Sequence, residues 1–350
     1  MPNTDHLHKA QELHGNSRSS GSLIPQRTFS RRVSNFFQPL KITRKEFKEV
    51  SVASCDGDRS HQEDTAGYFF LLDSDLENQH DDVIEWILRD TFMRLGEQAK
   101  DYVSGSTLVA CLQVGSRIFI ANVGDSRAFL VVGSESNQTV MPLSWAHKPD
   151  EPSESKRILE AGGRVEDVKG TFRLNGNLAT SRAFGDRMIG NGLIYEPDIS
   201  KIVLEDNSKA SVIVCSDGVT DAMETLDIQD FINQPYGKDF VITAKQLVSE
   251  AYSRRSEYFK SNSRDSQCDN ISAVVTYASE LTKDNSYPIL SFVADGHGGS
   301  EVSEYIKQNL ADVLSISIYD NLGKLLQVSE EPIREKSEIQ DFINNPFRLY

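Results

Sequence analysis

The spacing of apolar and polar positions along this chain changes several times, and each change marks an element. Two runs, V-S-V-A-S-C (Val50 to Cys55) and T-A-G-Y-F-F-L-L (Thr65 to Leu72), predict strands on either side of a polar turn. After the loop D-S-D-L-E-N-Q-H-D-D, apolar residues recur at three and four from Val83 to Leu95, which predicts a helix. T-L-V-A-C-L-Q-V, R-I-F-I-A-N-V and A-F-L-V-V follow as nearly continuous apolar runs, the pattern of strands covered on both faces. A helix is expected over Ser153 to Ala161, stopped by Gly162 and Gly163, then a buried strand over Ser211 to Cys215. Helices are expected near Leu226 to Ile232 and Phe240 to Phe259. Strands over Ile271 to Tyr277 and Pro288 to Ala294 and a helix over Ser300 to Leu314 complete the pattern. Hairpin-spaced strands mixed with helices predict an α+β fold, not a regular strand–helix alternation.

The first 45 or so residues show no such period. Rich in Ser, Arg, Asn, Gln and His, they read as a disordered arm over 1–46, with one domain over 47–350. Within the arm, R-T-F-S-R-R-V-S (Arg27 to Ser34) suits a basophilic kinase, but the reading as a solvated basic tail carries more weight. D-I-Q-D-F-I-N-Q-P (Asp227 to Pro235) recurs as E-I-Q-D-F-I-N-N-P (Glu338 to Pro346), two similar helix ends stopped by proline and not a domain repeat.

Charge sharpens this division. Residues 1–48 hold nine Lys/Arg against three Asp/Glu, which leaves −21 for the remainder of a chain whose total is −15. So acidic a body argues against nucleic acid as a partner. If the substrate is an anion, the acidity poses a puzzle to which bound cations are one answer. No apolar stretch is long enough to span a membrane, and no secretory leader opens the sequence, so an intracellular, cytoplasmic protein is expected, with the nucleus left open. Cys55, Cys111, Cys215 and Cys268 are scattered, as reduced and mostly buried thiols are.

The chemistry lies where strands end. R-S-H-Q-E-D (Arg59 to Asp64), V-G-D-S-R-A (Val123 to Ala128), S-D-G-V-T-D (Ser216 to Asp221), C-D-N-I-S (Cys268 to Ser272) and A-D-G-H-G-G (Ala294 to Gly299) each set an acid at a strand end or tight turn. Any one of them is an ordinary turn. Brought together, carboxylates about 5 Å apart repel by roughly 3 kcal/mol per pair at an effective dielectric near 20, so the cluster needs cations or protons. Oxygen donors without a Cys/His tetrad favour Mg²⁺ or Mn²⁺ over Zn²⁺.

These stretches, with G-S-T, A-N-V, H-K-P, A-G-G and L-A-T-S-R-A-F-G-D, resemble the type 2C metal-dependent Ser/Thr protein phosphatases, the PPM family, over roughly residues 48–315. The resemblance implies two packed antiparallel β-sheets flanked by helices, and phosphoprotein substrates. It implies two Mg²⁺ or Mn²⁺ ions, with a third, weaker one, and direct attack on phosphorus by hydroxide held on the metal pair. By the same resemblance Asp295 bridges both ions, with the Gly296 carbonyl beside it. Glu63 holds one ion, Asp217 and Asp269 the other, and Asp64 stands one layer out. Asp125 and Asp221 match the weaker site, Arg59 the phosphate clamp and His297 the general acid. His147 is expected to be structural, Arg127 and Arg182 to orient acids, and Trp86 and Trp145 to pack in the core or at its rim. Neither Cys55 nor Cys215 sits in a cysteine-phosphatase loop.

One departure stands out. In the family the Asp-Gly-His-Gly-Gly strand and its helix follow the Arg…Glu-Asp hairpin, whereas here they come last, so residues 289–350 read as a transposed segment. A circular permutation cannot produce that order. The moved strand is expected to return to its place in the same chain as a monomer, with a domain-swapped dimer as the competing arrangement. The stretch from Gly185 to Pro197, which borders the family's substrate cleft, is short. A pseudophosphatase or binding module of the same fold is the alternative to an active enzyme, and a two-metal phosphodiesterase fits the acidic body less well.

Overall fold

The computed structural model describes residues 50–72, 75–134, 137–205, 210–234, 242–262, 268–278, 287–323 and 327–329. The expected arm, its Ser34 motif and the second copy of the Asp227–Pro235 sequence lie outside the described residues. In chain order the elements are β1 (Val50–Cys55), β2 (Thr65–Leu72), α1 (Asp81–Ala99), β3 (Gly105–Ser106), β4 (Leu108–Val114), β5 (Arg117–Val123), β6 (Arg127–Ser134) and β7 (Asn137–Pro142). Then come α2 (Pro152–Glu160), β8 (Val165–Val168), β9 (Thr171–Leu174), β10 (Phe184–Gly185), β11 (Asp198–Val203) and β12 (Ala210–Cys215). The last third contains α3 (Asp217–Thr220), α4 (Thr225–Ile232), α5 (Ala244–Asn262), β13 (Ile271–Tyr277), β14 (Ile289–Ala294), β15 (Gly296–His297), α6 (Glu301–Leu322) and β16 (Gln327–Ser329).

A six-stranded sheet, β11-β5-β4-β14-β2-β16, and a five-stranded sheet, β1-β13-β12-β6-β7, are both antiparallel. Period-two alternation explains why they stack. On β4, Leu108, Ala110 and Leu112 join the core beneath α1 and α6, while Val109 and Cys111 face the other way. β14 does the same, with Leu290, Phe292 and Ala294 toward the helices and Ile289 and Val293 toward the second sheet. There they meet Val212 and Val214 of β12 and Val274 of β13. The alternate residues of those strands, Ile213, Cys215, Ala273 and Val275, pack under α4 and α5. The result is a helix–sheet–sheet–helix stack, the expected architecture.

α1 buries Ile84, Ile87, Leu88, Phe92 and Leu95 at helical spacing, and Asp81 and Asp82 in its first turn suit the positive end of the helix. α6 runs to Leu322, well past the expected Leu314. The stretch L-S-I-S-I alternates like a strand, yet Ser315 turns its hydroxyl back to the Ala311 carbonyl (2.7 Å), so a small polar side chain fits a buried helix face. Strands β7, β8, β9 and β11 were absent from the expected pattern; they are short or polar, and β11 is exposed at four of its six positions.

The late-coming segment lies between early strands. β14 pairs with β2 in the register Ala294↔Thr65 and with β4 in the register Val293↔Val109. Asp64 therefore precedes β2 directly opposite Asp295, which follows β14.

Candidate metal centre

Strand ends from both sheets deliver the acids to one place. Asp64 and Asp295 emerge side by side, and the Asp295 carbonyl accepts the Thr107 N–H (2.9 Å). Gly296 then passes so close to the hairpin that a Cβ there would lie 2.3 Å from the Glu63 carbonyl. Only glycine permits that approach. Glu63 is pinned further by its N–H on Asn270 (2.8 Å) and by the Ser303 hydroxyl donating to its carbonyl.

The five-stranded sheet contributes the rest. Asp217 opens α3 after β12, and Asp221 follows one turn later on the same face, its N–H on the Asp217 carbonyl (2.7 Å). Asp269 stands before β13, where Gly57 crosses it closely; a Cβ on Gly57 would sit 2.1 Å from the Asp269 carbonyl. Asp125 follows Gly124 in the turn between β5 and β6.

Two groups of carboxylates differ in their partners. Four of the acids have a cationic neighbour: Asp269 with Arg59 (2.8 Å), Asp125 with Lys148 (2.5 Å), Asp221 with Arg255 (3.3 Å) and Asp186 with His297 (2.6 Å). At the centre Asp64, Asp217 and Asp295 pair with no Lys, Arg or His among the described residues. Burial, opposed by the nearby Ser272, Asp295 and Ser216 side chains, still raises the Asp64 carboxyl to about 6. Neither Asp64 oxygen has a hydrogen-bond partner of normal geometry, although both are buried. Asp217 and Asp295 retain partial exposure but are set deep. Desolvation raises both well above the usual carboxylate range, reinforced by Asp125 and Asp221 at Asp217 and by Asp64 and Asp217 at Asp295.

Oxygen donors crowded together in this way suit a divalent cation. The residues fit divalent ions: an orphaned buried carboxylate, two more whose desolvation and neighbouring acids disfavour their charge, and no thiolate or imidazole tetrad among the described residues. Among the described residues, no three Asp, Glu, His or Cys side chains are drawn together as a finished metal cage.

His297 is positioned by a small sheet of its own. β3 pairs with β10 (Gly185↔Gly105) and with β15 (His297↔Gly105), so Gly105 lies between Asp186 and His297. A Cβ on Gly105 would reach within 2.0 Å of Asp186 Oδ2 and 2.3 Å of His297 Nε2. Burial lowers the His297 pKa, but the hydrogen bond and charge of Asp186 outweigh it, and the imidazole holds its proton above the ordinary range. Asp186 was not among the candidate residues. It closes the L-A-T-S-R-A-F-G-D motif and adopts the left-handed region (φ 55°), an uncommon conformation for a non-glycine residue and one that points to the site.

His147 is structural in its contacts. It is 4% exposed, its Nδ1 accepts the Gly124 N–H (3.1 Å), and Nε2 donates to Asp198 (3.0 Å). Arg182 orients acids as expected, holding Glu154 (2.6 Å) and Asp198 (2.8 Å). Arg127 does not: it donates to the Ser144 carbonyl (2.9 Å) and lies over the Phe129 and Trp145 rings, because its place at the head of β6 faces aromatics and not carboxylates. Trp86 and Trp145 are rim residues, half-exposed and 72% exposed. All four cysteines are free, and burial pushes the Cys111 and Cys215 thiols up to about 12, so neither is a nucleophile.

The protein phosphatase 2C family model matches residues 49–258, which leaves Asp269, Asp295 and His297 beyond the matched stretch. Probable protein phosphatase 2C 45 of Oryza sativa subsp. japonica is 38% identical over 174 residues, 49% of this chain and 54% of the relative. Probable protein phosphatase 2C 11 of Arabidopsis thaliana is 38% identical over 173 residues, 49% of this chain and 41% of the relative. The chain thus spans about half the length of these relatives. Its fold is similar to that of a serine-threonine phosphatase 2C from Toxoplasma gondii, with a TM-score of 0.50 at 22% identity over 67% of this chain and 96% of that one. The matched stretch exceeds half of the sequence, and the chain belongs to the protein phosphatase 2C family.

Proposed function

We propose that this chain is a metal-dependent protein serine/threonine phosphatase acting on phosphoserine and phosphothreonine in protein substrates. The observation that carries this reading is the trio Asp64, Asp217 and Asp295, gathered from two sheets and, among the described residues, none of them salt-bridged to a Lys, Arg or His. Glu63, Asp217, Asp269, Asp295 and the Gly296 carbonyl would hold two Mg²⁺ or Mn²⁺ ions, with Asp64 behind them and Asp125 and Asp221 offering a weaker third position. Bound there, the ions would supply Lewis acidity toward the phosphoryl oxygens and an acidified water.

The remaining roles belong to side chains. Arg59 is 45% exposed at the rim, paired with Asp269 by a single nitrogen, and its guanidinium fork suits a phosphate. His297 donates Nε2–H to Asp186, which leaves Nδ1 to meet the departing serine or threonine oxygen. Asp186 acts through His297 and is a positioning residue. In this reading the relocated β14, β15 and α6 complete the centre within a single chain.

The test is hydrolysis of a phosphothreonine peptide with Mn²⁺, using Asp217→Asn and Asp295→Asn as controls. Mn²⁺-dependent turnover lost in both variants is expected. Wild-type turnover no greater than theirs would leave only a pseudophosphatase, and cleavage of a phosphodiester in preference to the peptide would reassign the reaction. Sedimentation of the active species as a monomer is the expected companion result; activity confined to dimers would place the relocated segment in a partner chain.

A further inference from the structure

The turn after β7 brings Lys148 to the centre by a double latch. The His147 N–H donates to the Gly124 carbonyl (3.0 Å) and the Gly124 N–H donates back to His147 Nδ1 (3.1 Å). With those residues locked face to face, the next on each side, Asp125 and Lys148, are brought together, and their side chains meet at 2.5 Å. The latch is itself anchored, since His147 Nε2 donates to Asp198, which Arg182 holds in turn. Gly124 has φ 103°, and a Cβ there would lie 2.5 Å from Thr107, so the turn has little freedom to drift.

Asp125 is only 8% exposed in its side chain, whereas Lys148 is 40% exposed and so has an exit to solvent. The Lys148 ammonium is ion-paired with the Asp125 carboxylate at 2.5 Å. One fixed positive charge thus occupies the side of the centre where a third divalent ion would take Asp125. A lysine is long enough to leave such a position by rotating its stem.

We propose that the Lys148 ammonium is a resident cation of the centre that competes with a divalent ion for Asp125. It neutralises that side when no ion is bound and weakens the site by occupying it. The inference rests on the metal-dependent reading above, but its test does not depend on activity.

Mn²⁺ binding to the full chain is measured by the electron paramagnetic resonance signal of free Mn²⁺, for wild type, Lys148→Met, Lys148→Arg and Asp125→Asn, with Lys148→Met repeated in the Asp125→Asn background. Lys156→Met, on the 76% exposed side chain of α2, is the control. Removing the ammonium is expected to tighten the weakest class of Mn²⁺ sites by about ten-fold or more. The arginine variant and the control are expected to stay within about two-fold of wild type, and the methionine effect to vanish when Asp125 is Asn. An unchanged or weakened curve in Lys148→Met, or a gain that persists without Asp125, would overturn the proposal. Should Lys148→Met fold poorly, Lys148→Gln removes the same charge while keeping a polar side chain, with the same expected result. A wild type that hydrolyses phosphopeptide while its Mn²⁺ curve ignores Lys148 sinks this inference alone. Mn²⁺ binding that responds to Lys148 in a protein that hydrolyses nothing sinks the enzymatic reading alone.

Discussion

Two deep-set groups of carboxylates in this molecule have opposite electrostatics. Glu154, on α2, is 4% exposed in its side chain and held by Arg182 (2.6 Å), Arg157 (2.7 Å) and the Ser181 hydroxyl (2.6 Å). Burial alone would raise its pKa, yet these partners bring it down to about 2. At the centre, Asp64, Asp217 and Asp295 experience the same desolvation without such partners, and their carboxyls rise. Burial does not distinguish the two groups; the supply of cations does. A deep carboxylate with its own guanidinium completes the structure, and one without waits for something from solution.

The sharpest way to break that comparison is to neutralise members of the unpartnered group. Asp295→Asn and Asp217→Asn are expected to lower Mn²⁺-dependent phosphopeptide turnover by about a thousand-fold or more. In the metal-free protein they are expected to raise the melting temperature by about 2 °C, because each removes repulsion and not attraction. Melting curves in excess chelator, read beside initial rates, check both halves. A fall in the metal-free melting temperature would mean that these acids are structural after all.

A smaller effect separates holding an ion from holding a proton donor. Asp186→Asn and Gly105→Ala both disturb the His297 partnership, the second by placing a methyl group where Asp186 and His297 meet. Phosphopeptide turnover is expected to fall about a hundred-fold in each. Hydrolysis of p-nitrophenyl phosphate, whose leaving group departs without a proton, is expected to fall by less than about five-fold. Equal losses on the two substrates would show that the pair shapes the centre and does not orient an acid.

Much of this was legible in the chain itself. The buried strands β4, β5, β12, β13 and β14 show in their apolar runs because both faces are covered, and the ligand candidates show because glycine and acid recur at strand ends. What escaped depends on distant partners. Asp186 looks like a motif residue until β3 brings it to His297, and Lys148 looks like a turn residue until the Gly124–His147 latch carries it to Asp125. Arg127 was misjudged for the same reason: what an arginine beside an acid in sequence will touch is decided by the strand that follows it, here β6 with Phe129 and Trp145. The late position of β14 in the chain matters little to the fold, since the strand needs only edges to pair with and finds them on β2 and β4.

The smallest of these effects concerns the partnered group. Glu154→Gln leaves Arg157 and Arg182 without their shared carboxylate and is expected to destabilise the protein by about 3 kcal/mol at pH 7, with turnover per folded molecule unchanged within about two-fold. Because the folded pKa is depressed, this stabilisation is complete above the ordinary glutamate value of 4.5 and is lost as pH falls from there toward about 2. Urea unfolding of the wild type and the variant between pH 7 and pH 3 should therefore show a gap that is constant in the upper range and narrows below about pH 4.5. A gap that stays constant down to pH 3 would mean that Glu154 stabilises α2 through packing and hydrogen-bond geometry, and the contrast between cation-supplied and cation-seeking carboxylates would then lose its structural half.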